Sequence, residues 1–264
     1  MCKTRIALGI EYNGSRFNGY QLQQPGTRTV QAKLEMALSK VANQTIRVTC
    51  AGRTDTGVHA TGQVVHFDTT ARRKLKAWVA GTNTQLPEDV RVRWSRQVED
   101  SFSARFSATA RSYRYVLFMS EVRPAILANN VSWSFAELDV TKMHQAAQLL
   151  LGEKDFSAFR ASQCQARHAR RCVQQISLHQ SGPYVFMDIQ ANAFLHHMVR
   201  NIMGSLMVIG RHEQSADWLQ EVLNSRDRNQ AGITAPAAGL YMVNVQYPQL
   251  FGLPPRTGWL PAFG

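Results

Sequence analysis

Residues 4–12 read Thr-Arg-Ile-Ala-Leu-Gly-Ile-Glu-Tyr, and in them Ile6, Leu8, Ile10 and Tyr12 occupy every second position. That is the period of a strand with one face buried. Residues 30–42, VQAKLEMALSKVA, change the period: Val30, Leu34, Leu38 and Val41 fall four, four and three apart. This spacing predicts an amphipathic helix entered through Thr29 as N-cap. Outward from these two segments, short strands are expected near 45–50 and 63–69 and a helix near 72–82. A strand follows over 90–98, where Val90, Val92 and Trp94 alternate. The order is β-α-β-β-α-β.

The second half repeats that order in elements though not in letters. Tyr113, Tyr115 and Leu117 alternate, Met143, Ala147 and Leu150 mark a helix, and strands are expected near 173–179 and 184–190. A long helix over 193–210, a shorter one near 216–224 and a strand at 240–247 complete it. The expected fold class is α+β, with two ferredoxin-like or RNA-recognition-like halves, 1–108 and 109–264, sharing a mostly antiparallel sheet with a central cleft. The expected loops are 19–29, 121–130 and 159–172.

Composition limits what such a chain can do. Thirty Lys and Arg against eighteen Asp and Glu leave a net charge of +12, which suits a polyanionic partner because each phosphate contact releases counterions. Apolar residues make up 44%, an ordinary globular share that excludes a disordered or fibrous chain. Cys2, Cys50, Cys164 and Cys172 are too few and scattered for a disulfide scaffold, so reduced thiols are expected. No signal-peptide run and no stretch of eighteen apolar residues is present, so a cytoplasmic protein without membrane partners is expected.

The chemistry-bearing segment is CAGRTDTGVHATGQ at 50–63. Gly52, Gly57 and Gly62 allow a loop that lies close against a ligand, and it would present Asp55 from a rigid rim beside Arg53. A second constellation lies on the expected 193–210 helix, where His196 and Arg200, and His197 and Asn201, stand i to i+4 in one polar stripe. Arg160, Arg167, Arg170 and Arg171 gather in the 159–172 loop and are candidates for RNA contact, as is His59 in the loop beyond Asp55. Cys164, His168 and Cys172 are spaced four apart, wider than the Cys pairs of structural zinc sites, so no metal is expected.

GRTDTGVHATGQVVHF at 52–67 strongly resembles the active-site loop of the tRNA pseudouridine synthase I (TruA) family, which has alanine where this chain has Thr56. IEYNGSRFNGYQ, VQAKLEMAL, FSARFSATARSYRY, ANAFLHHMVRNIMGSL and GLYMVNVQY match further family segments in family order, with Tyr20 where members commonly carry Trp or Phe. The resemblance implies the pseudouridine synthase fold and an isomerase acting on uridines 38 to 40 of the tRNA anticodon stem-loop. It implies no cofactor, and a homodimer whose two subunits both contact the tRNA.

By the same resemblance Asp55 is the nucleophile, Arg200 pairs with it, Tyr113 lies in the active site and Leu240 packs on the uracil. Alternation alone does not separate Tyr113 from Tyr115. The rival reading is a non-catalytic RNA-binding or tRNA-folding protein on the same scaffold. An RNA-recognition module would carry a K/R-G-F/Y-G/A-F-V-x-F/Y strand, and the sequence has no such string.

Overall fold

The computed structural model describes residues 3–254 and divides them into two compact units. One takes in the chain through Thr109 and resumes at Tyr241; the other runs Ala110–Leu240.

In the first unit the order is β1 (Thr4–Tyr12), α1 (Val30–Ala42), β2 (Thr49–Cys50), β3 (His59–Thr69), α2 (Leu75–Gln85) and β4 (Val90–Val98), joined late in the chain by β10 (Leu240–Gln246). β1 lies between β3 and β4, antiparallel to both, with Ile6 opposite Phe67 and Leu8 opposite Val65. β10 runs parallel to β3, Tyr241 beside His59. The alternating residues of β1 and the helical stripe of α1 meet in one core in which Leu8, Ile10, Leu34 and Leu38 are fully buried. Trp78 of α2 closes it edge-on against Phe67, ring centroids 5.1 Å apart. Thr29 caps α1 by accepting the N–H of Ala32 at 3.3 Å, and Asn43 ends the helix in the left-handed conformation.

The second unit holds β5 (Ala110–Met119), β6 (Ser132–Ser134), α3 (Val140–Gln148), β7 (Gly152–Asp155), β8 (Arg170–Ser181), β9 (Tyr184–Ala191), α4 (Met198–Gly210) and α5 (Ala216–Ser225). β5, β9, β8 and β7 form an antiparallel run, and β6 adds to β5 in parallel. Met143, Ala146, Ile202, Met203, Leu206, Leu219 and Val222 of the three helices form its helical core.

Two expectations need correction. The helix expected over 193–210 begins only at Met198, because His197 takes φ +62° and breaks the helical path. His196 therefore lies before the helix and His197 at its N-cap, and the expected polar stripe is broken up, with Asn201 fully buried and Arg200 half-buried. The 45–50 strand shrinks to Thr49–Cys50.

No helix among the described residues is long and apolar enough to cross a membrane. Cys50, Cys164 and Cys172 are free thiols, and Cys2 lies outside the described residues.

Candidate active site

The loop between β2 and β3 is pinned on both sides of Asp55. Upstream, Ala51 donates its N–H to Val64 at 2.8 Å, and the buried Gln63 side chain donates to the Gly52 carbonyl at 2.6 Å. Thr54 is held through its Oγ1, 2.8 Å from the Tyr12 hydroxyl, and through its carbonyl, which accepts the Tyr20 N–H at 3.0 Å. Downstream, the Val58 N–H returns to the Asp55 carbonyl at 3.1 Å across Gly57, whose φ of +80° suits glycine. Asp55 is half-buried, while Arg53 and Thr56 on either side are exposed. The extra methyl and hydroxyl of Thr56 thus face outward and need no space in the core.

Burial fixes the protonation of the groups beneath this loop. It raises the Tyr12 hydroxyl well above the ordinary tyrosine range, against the hydrogen bonds from Thr54 and Gln63. It also pushes the Cys50 thiol up to about 11, against the pull of Arg53 and Arg105. Both are neutral near pH 7, so the loop rests on an uncharged polar floor.

His59 does not stand in a loop. It opens β3, is 1% exposed, accepts the Gly14 N–H on Nδ1 at 3.0 Å, and stacks on Tyr241 at 4.7 Å. A ring so enclosed has no open face for RNA, and its observed contacts join β3 to the turn after β1.

In the second unit the two tyrosines of β5 part company. Tyr115 is fully buried and donates its hydroxyl to the Pro236 carbonyl at 2.9 Å, with Ser132 Oγ also against it. Burial holds that hydroxyl above its usual range despite Ser132 and the nearby Arg200 charge. Tyr113 is 8% exposed and meets Phe194 edge-on at 5.0 Å. Arg200 is half-buried; its Nε donates to the Ala235 carbonyl at 2.8 Å and its own carbonyl accepts the Ala235 N–H at 3.1 Å. Leu240 is 5% exposed at the start of β10.

Residues 9–107 and 146–248 match the family model described as tRNA pseudouridine synthase, more than half of the chain. The chain belongs to that family. Among relatives, "tRNA pseudouridine synthase A" of Hydrogenovibrio crunogenus is 57% identical over 251 residues, covering 95% of each chain. Proteins of the same description from Tolumonas auensis and Salmonella paratyphi B are 55% and 57% identical over 250 residues, covering 95% of this chain and 95% and 92% of theirs. A chain of the solved structure titled "Crystal Structure of a Cbf5-Nop10-Gar1 Complex" is similar over 90% of this chain and 48% of that one, with 11% identity and TM-score 0.39, too slight a likeness to argue from.

The loop expected over 159–172 ends sooner: Arg160 and Arg167 lie in it, whereas Arg170 and Arg171 open β8, paired with Asp155 and Lys154 of β7. Arg160 donates to the Cys164 and Ala166 carbonyls at 2.6 and 2.8 Å and so folds the loop on itself. Arg171 is 9% exposed and donates to the His168 carbonyl at 3.0 Å, and burial holds its guanidinium below the ordinary arginine range. Arg167 and Arg170 are exposed, Arg170 facing Glu153 at 3.4 Å. Arg160 therefore shapes the loop and Arg171 its junction with β8, while Arg167 on the loop and Arg170 on the strand face outward.

The sequence places Asn201 in a polar stripe but does not show its part in a buried network. That side chain is fully buried in α4, donates to the Phe159 carbonyl at 2.8 Å, and accepts from Thr234 at 2.7 Å and Arg228 at 3.2 Å. The segment that bonds to Arg200 is thereby fastened to the same helix. Its one sequence signal is an Asn inside an otherwise apolar helix, where a polar group must find partners.

Proposed function

We propose that the chain isomerises uridine to pseudouridine in tRNA, at positions 38 to 40 of the anticodon stem-loop, with Asp55 as the nucleophile. The bond between ribose C1′ and base N1 breaks, the uracil turns, and C1′ joins C5; the proton leaves C5 and N1 ends protonated. Atoms and electrons balance within the substrate, so the overall reaction consumes no cofactor. A carboxylate suits this chemistry because the sugar carbon becomes electron-poor as its base departs. The family match over residues 9–107 and 146–248 carries the reading, and the pinned loop presenting Asp55 supports it.

In this proposal Arg200 pairs with the Asp55 carboxylate, Tyr113 stacks on the everted uracil and takes the C5 proton, and Leu240 packs on its other face. Arg53, Arg167 and Arg170 contact phosphate. The enzyme works in the cytoplasm as a homodimer, with the anticodon arm contacting both subunits. Incubation with tRNA transcripts carrying tritium at C5 of uridine tests the reading. Tritium release with new pseudouridine at 38 to 40 is expected; no release, or product confined to other positions, would overturn it.

A further inference from the structure

The turn that follows β4 presents an aromatic side chain to solvent from an unusually well-anchored backbone. Phe102 is fully buried, its ring 5.1 Å from that of Tyr247. The Ala104 N–H donates to Nδ1 of His66 at 3.0 Å, and its carbonyl accepts the Tyr247 hydroxyl at 2.7 Å. Ser103 and Ser107 close the turn: the Ser103 N–H donates to Ser107 Oγ at 2.9 Å and the Ser107 N–H to the Ser103 carbonyl at 2.9 Å. The Phe106 N–H is taken up by Ser103 Oγ at 3.3 Å. Out of this turn Phe106 stands 81% exposed, with the Arg105 guanidinium 5.2 Å from its ring centroid.

Burying Phe106 in its own unit would remove apolar surface from water, at roughly 25 cal/mol per Å². The chain instead holds the ring outward on a backbone fixed at both ends. The Arg105 guanidinium brings a cation to the ring itself, and the exposed Arg53 lies on the loop that follows β2. Cys50 and Thr49 pair with Val65 and His66, the same His66 that anchors the turn. The platform therefore stands on β3 beside the strand that leads into the Asp55 loop. An outward aromatic ring with a guanidinium across it, on a chain of net charge +12, has the chemistry of a base-stacking site.

We propose that Phe106, backed by Arg105, is a stacking platform for an unpaired base of the tRNA. This rests on the reading of the chain as a tRNA-acting enzyme. It adds a contact that takes no part in the reaction itself: the ring contributes binding, equal in ground and transition states, and no proton or bond passes through it.

The test measures tRNA binding and turnover in the full chain for Phe106→Leu, Phe106→Trp and Asp55→Asn. Phe106→Leu keeps apolar bulk and loses the ring. It is expected to weaken Kd and KM for tRNA roughly tenfold, within the range that loss of one base stack gives. Its kcat at saturating tRNA should stay within about twofold of the parent, since only uniform binding is lost. Phe106→Trp should restore binding, and tRNA should quench its indole emission by more than it quenches that of the parent, whose five tryptophans set the baseline.

Unchanged Kd and KM in Phe106→Leu would overturn the proposal. So would an altered oligomeric state of that variant without RNA, which would assign the ring to a protein interface. Activity retained by Asp55→Asn would count against the catalytic reading and leave the Phe106 result standing on its own.

Discussion

The backbone N–H of Tyr20 donates to the carbonyl of Thr54 at 3.0 Å, so the turn after β1 grips the residue immediately before Asp55. Gly19 makes the approach possible. Its φ is +82°, and a Cβ placed there would lie 2.9 Å from the Thr54 carbonyl oxygen. Gly19→Ala is expected to cost about 1–2 kcal/mol in the left-handed backbone alone. It should also displace the Asp55 loop and lower kcat by about tenfold or more, with a smaller effect on tRNA Kd. Urea unfolding and single-turnover kinetics check this; a stability loss with unchanged kcat would show that the grip does not position Asp55.

His59 should behave as a scaffold residue. His59→Phe keeps a ring against Tyr241 but leaves the Gly14 N–H without its acceptor, a loss of about 1–3 kcal/mol. Binding of tRNA by the folded variant should match the parent. Weakened tRNA binding at undiminished stability would return His59 to the RNA contacts.

His66 makes stability depend on pH. Burial, and next the Arg5 charge, lower its pKa from 6.5 to about 4, with Asp68 opposing. Asp68 stays ionised through this range because Arg5, bonded to it at 2.7 and 2.9 Å, holds its carboxyl far below the usual carboxylate range. The unfolded chain binds a proton near 6.5 and the folded chain only near 4, so stability is full above 6.5 and falls as pH drops between those values. The loss is on the order of 2 kcal/mol after allowance for solvent relaxation. Urea midpoints from pH 7.5 down to 4.5 should fall more steeply for the parent than for His66→Gln; equal slopes would reject this titration.

The sequence made most elements legible where side-chain period was strong and local. α1 and β4 declare themselves through helical spacing or alternation that matches the face each one buries, whereas β1 shows its strand period but, lying between β3 and β4, buries both faces over residues 6–10, Ala7 included. The glycines around Asp55 likewise marked a tight loop before any coordinates. The start of α4 was not legible, because Phe194 and Leu195 continue an apolar pattern that carries no information about the sign of φ at His197. β6 and β7, three and four residues long, are too short to show a period. The burial of His59 depends on Tyr241, far away in sequence, and the Asn201 network on Phe159, Arg228 and Thr234. Such pairings are set by tertiary contact and leave no local trace.

Asp55→Asn tests the central claim most directly, because the amide keeps the size and most hydrogen-bonding capacity of the side chain while losing the anion. Turnover of C5-tritiated tRNA should fall at least about a thousandfold, a loss of roughly 4 kcal/mol in barrier lowering. Equilibrium binding of the same tRNA should remain close to the parent's. Pseudouridine formation by the Asn variant at a rate near the parent's would contradict the assignment of Asp55 as nucleophile.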